Sequence, residues 1–205
     1  MMKQSDVEKL DQFLERIKND IYPEASSDLH TEITKKMFYD IKSKYNLAKE
    51  GKVLDVGCGQ SVALDLFRNE GFVPVGITLG EEDIEACRQK GFEVHQMDQS
   101  FLNFNDAEFD FIWCRHCLEH SIFPYFTLSE LYRVLKKGGY LYIEVPAPDT
   151  SCQHQTNKNH YSVLGKSMWA ELIMRSGFNI LNIMDINFSV MAGPDLYWGF
   201  IQQKV

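Results

Sequence analysis

A chain of 205 residues with 44% hydrophobic and 24% charged content is long enough to bury one proper core and lies in the ordinary globular range. Its formal net charge of −8 argues against a broad nucleic-acid or anionic-membrane surface, which needs clustered Lys and Arg; the pairs Lys35-Lys36 and Lys136-Lys137 read as solvated faces. The opening MMKQSDVEKLDQ is polar, and no apolar run approaches the roughly 18 residues that span a bilayer, so a soluble cytoplasmic protein without a membrane partner is expected.

Val7, Leu10, Leu14, Ile17 and Ile21 recur at helical spacing, and after a break at Pro23 so do Leu29, Ile33, Met37, Ile41 and Tyr45. Two amphipathic helices are therefore expected to form a cap over 1–50, ahead of a core over 51–205 in a single domain. The pattern then alternates: strand 52–56, helix 61–70, strand 73–78, helix 81–90, strands 93–97 and 109–113, helix 124–135, strand 139–145. Gly71 and Gly91 stand where helices stop. Such alternation means a parallel sheet with helices on both faces. Pro146 and Pro148 open an irregular loop over 149–160, placed to cover a site, and Met168 to Arg175 reads as a helix closed by Gly177. The closing runs Asn179 to Ser189 and Leu196 to Lys204 lie too near each other for a crossover helix and are expected to pair antiparallel.

The five cysteines, Cys58, Cys87, Cys114, Cys117 and Cys152, are an odd number with no secretion signal, so reduced thiols are expected. Cys114 and Cys117 have C-x-x-C spacing, but no second pair stands at metal-finger distance, and the spacing reads as chance.

The stretch VLDVGCGQSVALDLF, beginning at Val53, combines a strand, a glycine turn and a helix. Glycines let backbone amides at 57–59 come against a ligand at a helix start; Gly57→Val is expected to fill ligand space while sparing the fold. A dinucleotide fingerprint fails twice: Val62 takes the third glycine position, and Thr78 stands where an acidic residue is required.

Asp55-Val-Gly57-Cys58-Gly59-Gln-Ser61 instead resembles the first motif of class I S-adenosylmethionine (SAM)-dependent methyltransferases, with Ser61 in place of a common glycine and able to open the helix as an N-cap. The resemblance continues in order over about residues 50 to 205. It runs through Met97-Asp98, Glu108-Phe-Asp110, Leu118-Glu119-His120, Arg133-Val-Leu135-Lys-Lys-Gly138-Gly139, Asn159-His160 and Ser176-Gly177-Phe178. It implies a Rossmann-like, seven-stranded, mostly parallel sheet in the order 3-2-1-4-5-7-6, last strand antiparallel. It also implies that the loop of Gly57, Cys58 and Gly59 approaches the methionine part of SAM while Asp55 holds the loop and the ammonium side. Asp98 would bond the adenine amino group with Gln99 beside the ring. At Thr78 the family normally has an acid for the ribose, so either Glu81 or Glu82 substitutes or the ribose is held less tightly. Thr78-Leu79 also resembles cyclopropane-forming members, which keeps a SAM enzyme acting on lipid alkenes open.

Methyl transfer from a sulfonium needs an aligned acceptor, exclusion of water and, for an oxygen or nitrogen acceptor, a destination for its proton. Arg115, just past the fourth strand, is a candidate for the SAM carboxylate. His116, Glu119 and His120 have i, i+3, i+4 spacing that would share one helical face. Either His116 or His120 is then a candidate base, or His116, Glu119, His120 and a downstream His160 hold a divalent metal, as the resemblance to E-x-x-E-H methyltransferases implies; here His116 replaces the first glutamate. His30, in the second leading helix, is a candidate to cap the cofactor or a surface residue, His95 and His154 are given no role, and Trp113, Tyr125, Phe126 and Tyr161 are candidates for an acceptor pocket or for core. The expectation is a methyltransferase acting on O or N of a small molecule, with a SAM-fold binding protein lacking turnover as the alternative.

Overall fold

The computed structural model describes residues 3–17 and 27–205. Helix α1 (Gln4–Ile17) precedes α2 (Asp28–Lys44); the expected helical positions at Ile21 and the break at Pro23 lie outside the described residues. There follow β1 (Lys52–Val56), α3 (Val62–Asn69), β2 (Val73–Thr78), α4 (Glu81–Gln89), β3 (Glu93–Gln96), β4 (Phe109–Arg115), α5 (Pro124–Val134), β5 (Leu135–Pro146), α6 (Lys166–Arg175), β6 (Phe178–Val190) and β7 (Gly193–Lys204).

The sheet order is β3-β2-β1-β4-β5-β7-β6, as expected. The first five strands pair parallel, and β7 runs antiparallel to both β5 and β6. Strands are longer than their apolar runs. β4 continues through Cys114 and Arg115, in register with Ile143 and Glu144, so Arg115 ends the strand instead of following it. The β6 and β7 ladder likewise extends from Phe178 to Val190 and closes in a tight turn, because antiparallel pairing tolerates the alternating half-exposed pattern of β6.

Each central strand sends alternate residues to opposite faces. Val53, Phe111, Trp113 and Tyr142 pack with Ile33, Met37, Phe38 and Ile41 of α2 and with Phe67 of α3 on one face. Leu54, Ile112, Leu141 and Ile143 pack with α5 and α6 on the other, against Leu128, Leu131, Trp169 and Ile173. Helices cover both faces. Arg133, at the end of α5, acts structurally. Its guanidinium donates to the carbonyls of Leu102 and Phe104 at 2.7 Å each and pairs with Glu130 and Asp106, fixing the segment before β4.

Phe38 is fully buried, its ring 5.3 Å from that of Phe67 and 6.0 Å from that of Phe72. Removing it leaves a cavity under α2, so Phe38→Ala is expected to lower unfolding free energy by about 3 to 5 kcal/mol in urea titration; a loss below about 1 kcal/mol would mean that α2 is not part of the core.

Candidate active site

The strand order reverses between the parallel neighbours β1 and β4, and the crevice at the carboxyl end of these strands is where open α/β sheets bind ligands. A cavity of about 560 Å³ lies there, a size that suits a small cofactor. Its lining includes Gly57, Gly59, Thr78, Leu79, Asp98 and Gln99, brought together from three loops, with Leu14 and Ile17 of α1.

The glycine turn differs in detail from the expectation of exposed amides at 57–59. The N–H groups of Gly57 and Cys58 both donate to the carbonyl of Ile77, at 2.9 and 3.0 Å, so they hold the turn onto β2 and are not available to a ligand. Gly57 has φ +76, and a Cβ there would lie 2.8 Å from Cys117 Sγ. A valine at 57 would therefore collide with the protein itself, which corrects the reading that it would spare the fold. Gly59 has φ +45 and nothing within 4 Å of a Cβ position, so it is the glycine that opens the cavity. Cys58 is buried behind the turn, against Gly76, and does not line the cavity. Ser61 has left-handed backbone and makes no capping bond; its hydroxyl donates to Asp65 at 3.0 Å and accepts from Lys90 Nζ at 2.6 Å.

Among the residues that line this cavity, Asp83 Oδ1 and Gln99 Oε1 are buried without a hydrogen-bond partner; Asp55 Oδ2 is likewise unpartnered but lies on β1 and does not line it. All are acceptors, and SAM offers donors of matching kind in its ammonium, ribose hydroxyls and adenine amino group. The residues fit that cofactor. Asp55 is pushed up to about 8, first by burial and then by Cys87, against the opposing charge of Arg115. Gln99 Nε2 donates to the carbonyl of Cys117 at 2.8 Å, and Asp98 Oδ1 accepts from Ser100 N at 2.7 Å. Thr78 Oγ1 accepts weakly from Gly80 N at 3.4 Å, while Glu81, Glu82 and Asp83 at the start of α4 all face the cavity. Asp83 is a site residue beyond those the sequence singled out; its signal is that it closes a run of three acids, Glu81-Glu82-Asp83, that begins three residues after Thr78.

A second cavity, of about 330 Å³, shares His116 and His120 with the first and is lined also by His30, Glu119, His154 and His160. The common helical face expected for His116, Glu119 and His120 does not form. His116 leaves β4 with φ +52, and only Leu118–His120 make a single tight turn. His116 Nε2 donates to Glu144 Oε1 at 2.8 Å, and the ring stacks on Tyr197 at 4.2 Å. Burial, with Arg115 next, lowers His116 to about 3, so it is neutral and poorly suited to take a proton. Glu119, His120 and His160 do converge, their ligand atoms within 4.8 Å of one another, whereas His116 stands outside that group. His120 Nδ1 lies 2.9 Å from the carbonyl of Asn159. A carbonyl only accepts, so Nδ1 bears the proton and the neutral ring has its lone pair on Nε2.

Glu144 holds this arrangement and was missed in the sequence, although a lone acid within Leu-Tyr-Ile-Glu-Val is a visible signal. Its fully buried carboxylate accepts from His116 and from the Tyr142 hydroxyl, the latter at 2.5 Å. Arg115 Nε lies 2.8 Å away, a charge contact without hydrogen-bond alignment, and its Nη2 donates to His30 Nδ1 at 3.4 Å. Arg115 is thus committed to Glu144 and does not line the larger cavity, as a carboxylate-binding arginine would. Although burial opposes it, the charge of Arg115 and the bond from His116 lower Glu144 to about 2.

His116 is held neutral, so the unfolded chain takes up its proton first and stability is lost as pH falls from about 6.5 toward 3. Glu144 stabilises above its ordinary range near 4.5 and loses that contribution as pH falls toward 2. Asp55, raised to about 8, works in the opposite direction over the same range, so the His116 contribution is read as a difference: the parent's urea midpoint is expected to fall relative to that of His116→Asn as pH drops from 7 to 5, and a difference that does not change with pH would remove His116 from this account.

A sequence model described as a methyltransferase domain matches residues 31–184. The ubiquinone biosynthesis O-methyltransferase of Vibrio atlanticus is 25% identical over 131 residues, 60% of this chain and 51% of that protein. The malonyl-[acyl-carrier protein] O-methyltransferase of a Paenibacillus species is 23% identical over 187 residues, 77% of this chain and 68% of that protein. The chain thus spans about half the length of the first of these relatives. A SAM-dependent methyltransferase from Archaeoglobus fulgidus has the same fold, with TM-score 0.73 and 20% identity over 94% of this chain and 99% of that one. The fold is shared by a [4+2]-cyclase, TM-score 0.70 and 18% identity over 90% of this chain and 84% of that one, so fold alone does not name a reaction. Sheet order, the glycine turn and a domain match over most of the sequence agree on one conclusion: the chain belongs to the class I SAM-dependent methyltransferase family.

Proposed function

We propose that this protein transfers the methyl group of SAM to an oxygen of a small polar acceptor, with the cofactor in the larger cavity and the acceptor in the smaller. The observation that supports this most is the pair of cavities joined at His116 and His120, one lined by the glycine turn and the other by imidazoles and carboxylates. A polar second compartment suits a hydroxyl acceptor better than a lipid alkene, and the similar Vibrio and Paenibacillus proteins both bear O-methyltransferase names.

In this reading Asp98 and Gln99 orient the adenine, and the acids Glu81, Glu82 and Asp83 take the ribose hydroxyls that Thr78 cannot hold from both sides. Asp55, buried at the end of β1 behind the glycine turn, acts on the ammonium group through its charge, and Leu14, Ile17 and Tyr161 exclude water. His120 Nε2 receives the acceptor proton, its ring kept in the required tautomer by Asn159. A second reading rests on the convergence of Glu119, His120 and His160: two neutral imidazoles and a carboxylate fit a divalent metal, with Asn159 orienting one ligand from behind. When bound there, the metal supplies positive charge to an acceptor oxygen.

S-adenosylhomocysteine release from SAM with a panel of phenolic and carboxylic acceptors tests the proposal. Turnover is expected, reduced about 10²- to 10⁴-fold in His120→Gln. Tight SAM binding without release over the whole panel would leave a binding protein. Loss of turnover on chelation, matched in His160→Ala, selects the metal reading over the base.

Asp55 makes cofactor binding proton-linked. With Cys58, Cys87 and Arg115 as its charged or titratable neighbours, it is protonated in the free protein below about pH 8, and an ammonium group expels that proton. SAM affinity is expected to rise by up to about tenfold per pH unit from pH 6 to 8 and then level off, the slope vanishing in Asp55→Asn. A flat calorimetric profile across that range would separate Asp55 from the cofactor.

A further inference from the structure

Three side chains that the proposed chemistry does not use meet at the far wall of the smaller cavity. Cys152 and His154 come from the 149–160 loop, Asp195 from β7. Their contact depends on how tightly that loop lies against the hairpin of β6 and β7. Gly193 has φ +125, and a Cβ there would stand 2.7 Å from Ser151 Oγ, so only glycine admits the loop. Ser151 N donates to the carbonyl of Pro194 at 3.3 Å, and Ala147 N to that of Leu196 at 2.9 Å. Gln153, with left-handed backbone, then turns His154 inward at the start of the short turn His154–Thr156.

The result is a compact set of unlike donors. His154 Nε2 lies 3.0 Å from both carboxylate oxygens of Asp195, and Oδ1 also accepts from Leu196 N at 2.9 Å. One ligand atom from each of Cys152, His154 and Asp195 falls within 4.8 Å of the other two. The histidine side chain is 12% exposed and the aspartate 3%, so water screens them little. The His154 ring stacks on that of His160 at 5.8 Å and 14°, which sets this group beside Glu119, His120 and His160 without sharing a ligand.

We propose that Cys152, His154 and Asp195 form a separate binding site for a thiophilic divalent cation of the zinc class, with its fourth position open to the acceptor cavity. Sulfur, imidazole nitrogen and carboxylate oxygen are the donors zinc takes, and a thiolate excludes magnesium and calcium in favour of softer ions. Thiolate and carboxylate together balance the two charges of the ion. The metal–sulfur bond forms as the thiol proton leaves to solvent. Burial and then Asp195 hold the Cys152 thiol up to about 11, so without a cation it keeps its proton and is no nucleophile. The ion is expected to fix a donor atom of the acceptor opposite His120. Cation binding itself does not rest on methyl transfer, and its test needs no turnover.

The test is titration of the chelator-treated full chain with cobalt(II), read by absorption. Tetrahedral d–d bands and a thiolate-to-cobalt charge-transfer band are expected, both displaced by zinc. The charge-transfer band should vanish in Cys152→Ser and persist in His120→Gln, and affinity should drop about tenfold or more in His154→Gln and Asp195→Asn. Cys152→Ser keeps the size and hydrogen-bonding ability of a half-exposed side chain, so it decides the matter if the buried Asp195 variant fails to fold. Absence of the band in the parent chain, or its survival in Cys152→Ser, overturns the proposal and leaves a His154–Asp195 ion pair with a neighbouring thiol.

Discussion

The arrangement at the carboxyl edge of the sheet depends on one buried carboxylate. Glu144 has no access to solvent, and a lone charge in such a place would cost several kcal/mol. It is tolerated because adjacent β4 delivers Arg115 and His116 to it in register, while Tyr142 on its own strand donates from below. That demand explains why Arg115 and His116 behave as structural partners. The strongest local charge captures both, and the next residues are left to make the site: the chain turns sharply after His116 and presents His120 from a separate short turn.

Two compartments follow from this geometry. On one side the glycine turn is fastened to β2 through the carbonyl of Ile77, which makes it a rigid wall, and Asp83 and Gln99 line the cavity beside it with buried oxygens that have no hydrogen-bond partner. On the other side, loop 149–160 is drawn against the hairpin of β6 and β7 and brings histidines from three parts of the chain into one small space. His160 is lowered to about 4, first by burial and then by the neighbouring His120 and His154. Neutral imidazoles are ligands and bases. The concentration of such groups at the end of a parallel sheet is what gives the cavity a chemical character beyond that of a packed core.

The division of labour also explains the departures from the family pattern. Ser61 replaces a small residue in the turn, yet its hydroxyl ties α3 to Lys90 after α4, so it contributes cohesion where it was expected to cap. Thr78 lacks the carboxylate for the ribose, but three acids follow it at the start of α4, one of them buried with an oxygen facing no partner. These acids line the same cavity as Thr78.

Much of the fold was legible because its signals are local or periodic. Apolar spacing located α2 and α3, and Gly71 and Gly91 stopped the helices after which β2 and β3 begin. Alternation of strand and helix implied a covered parallel sheet, and the short gap between the last two runs implied their antiparallel pairing. The Asp-x-Gly-x-Gly stretch marked the cofactor corner because only particular backbone angles make that turn. What the sequence could not decide is whatever depends on partners distant along the chain. Helical spacing would unite His116, Glu119 and His120, but Glu144, 28 residues away, pulls the first aside. Gly57 looked like ligand space and proved to be space for Cys117. Cys152, His154 and Asp195 follow no motif in their order and meet only because a hairpin folds back on a loop. Local backbone preference is written in neighbouring residues; proximity between charged groups is decided by the packing that brings strands side by side.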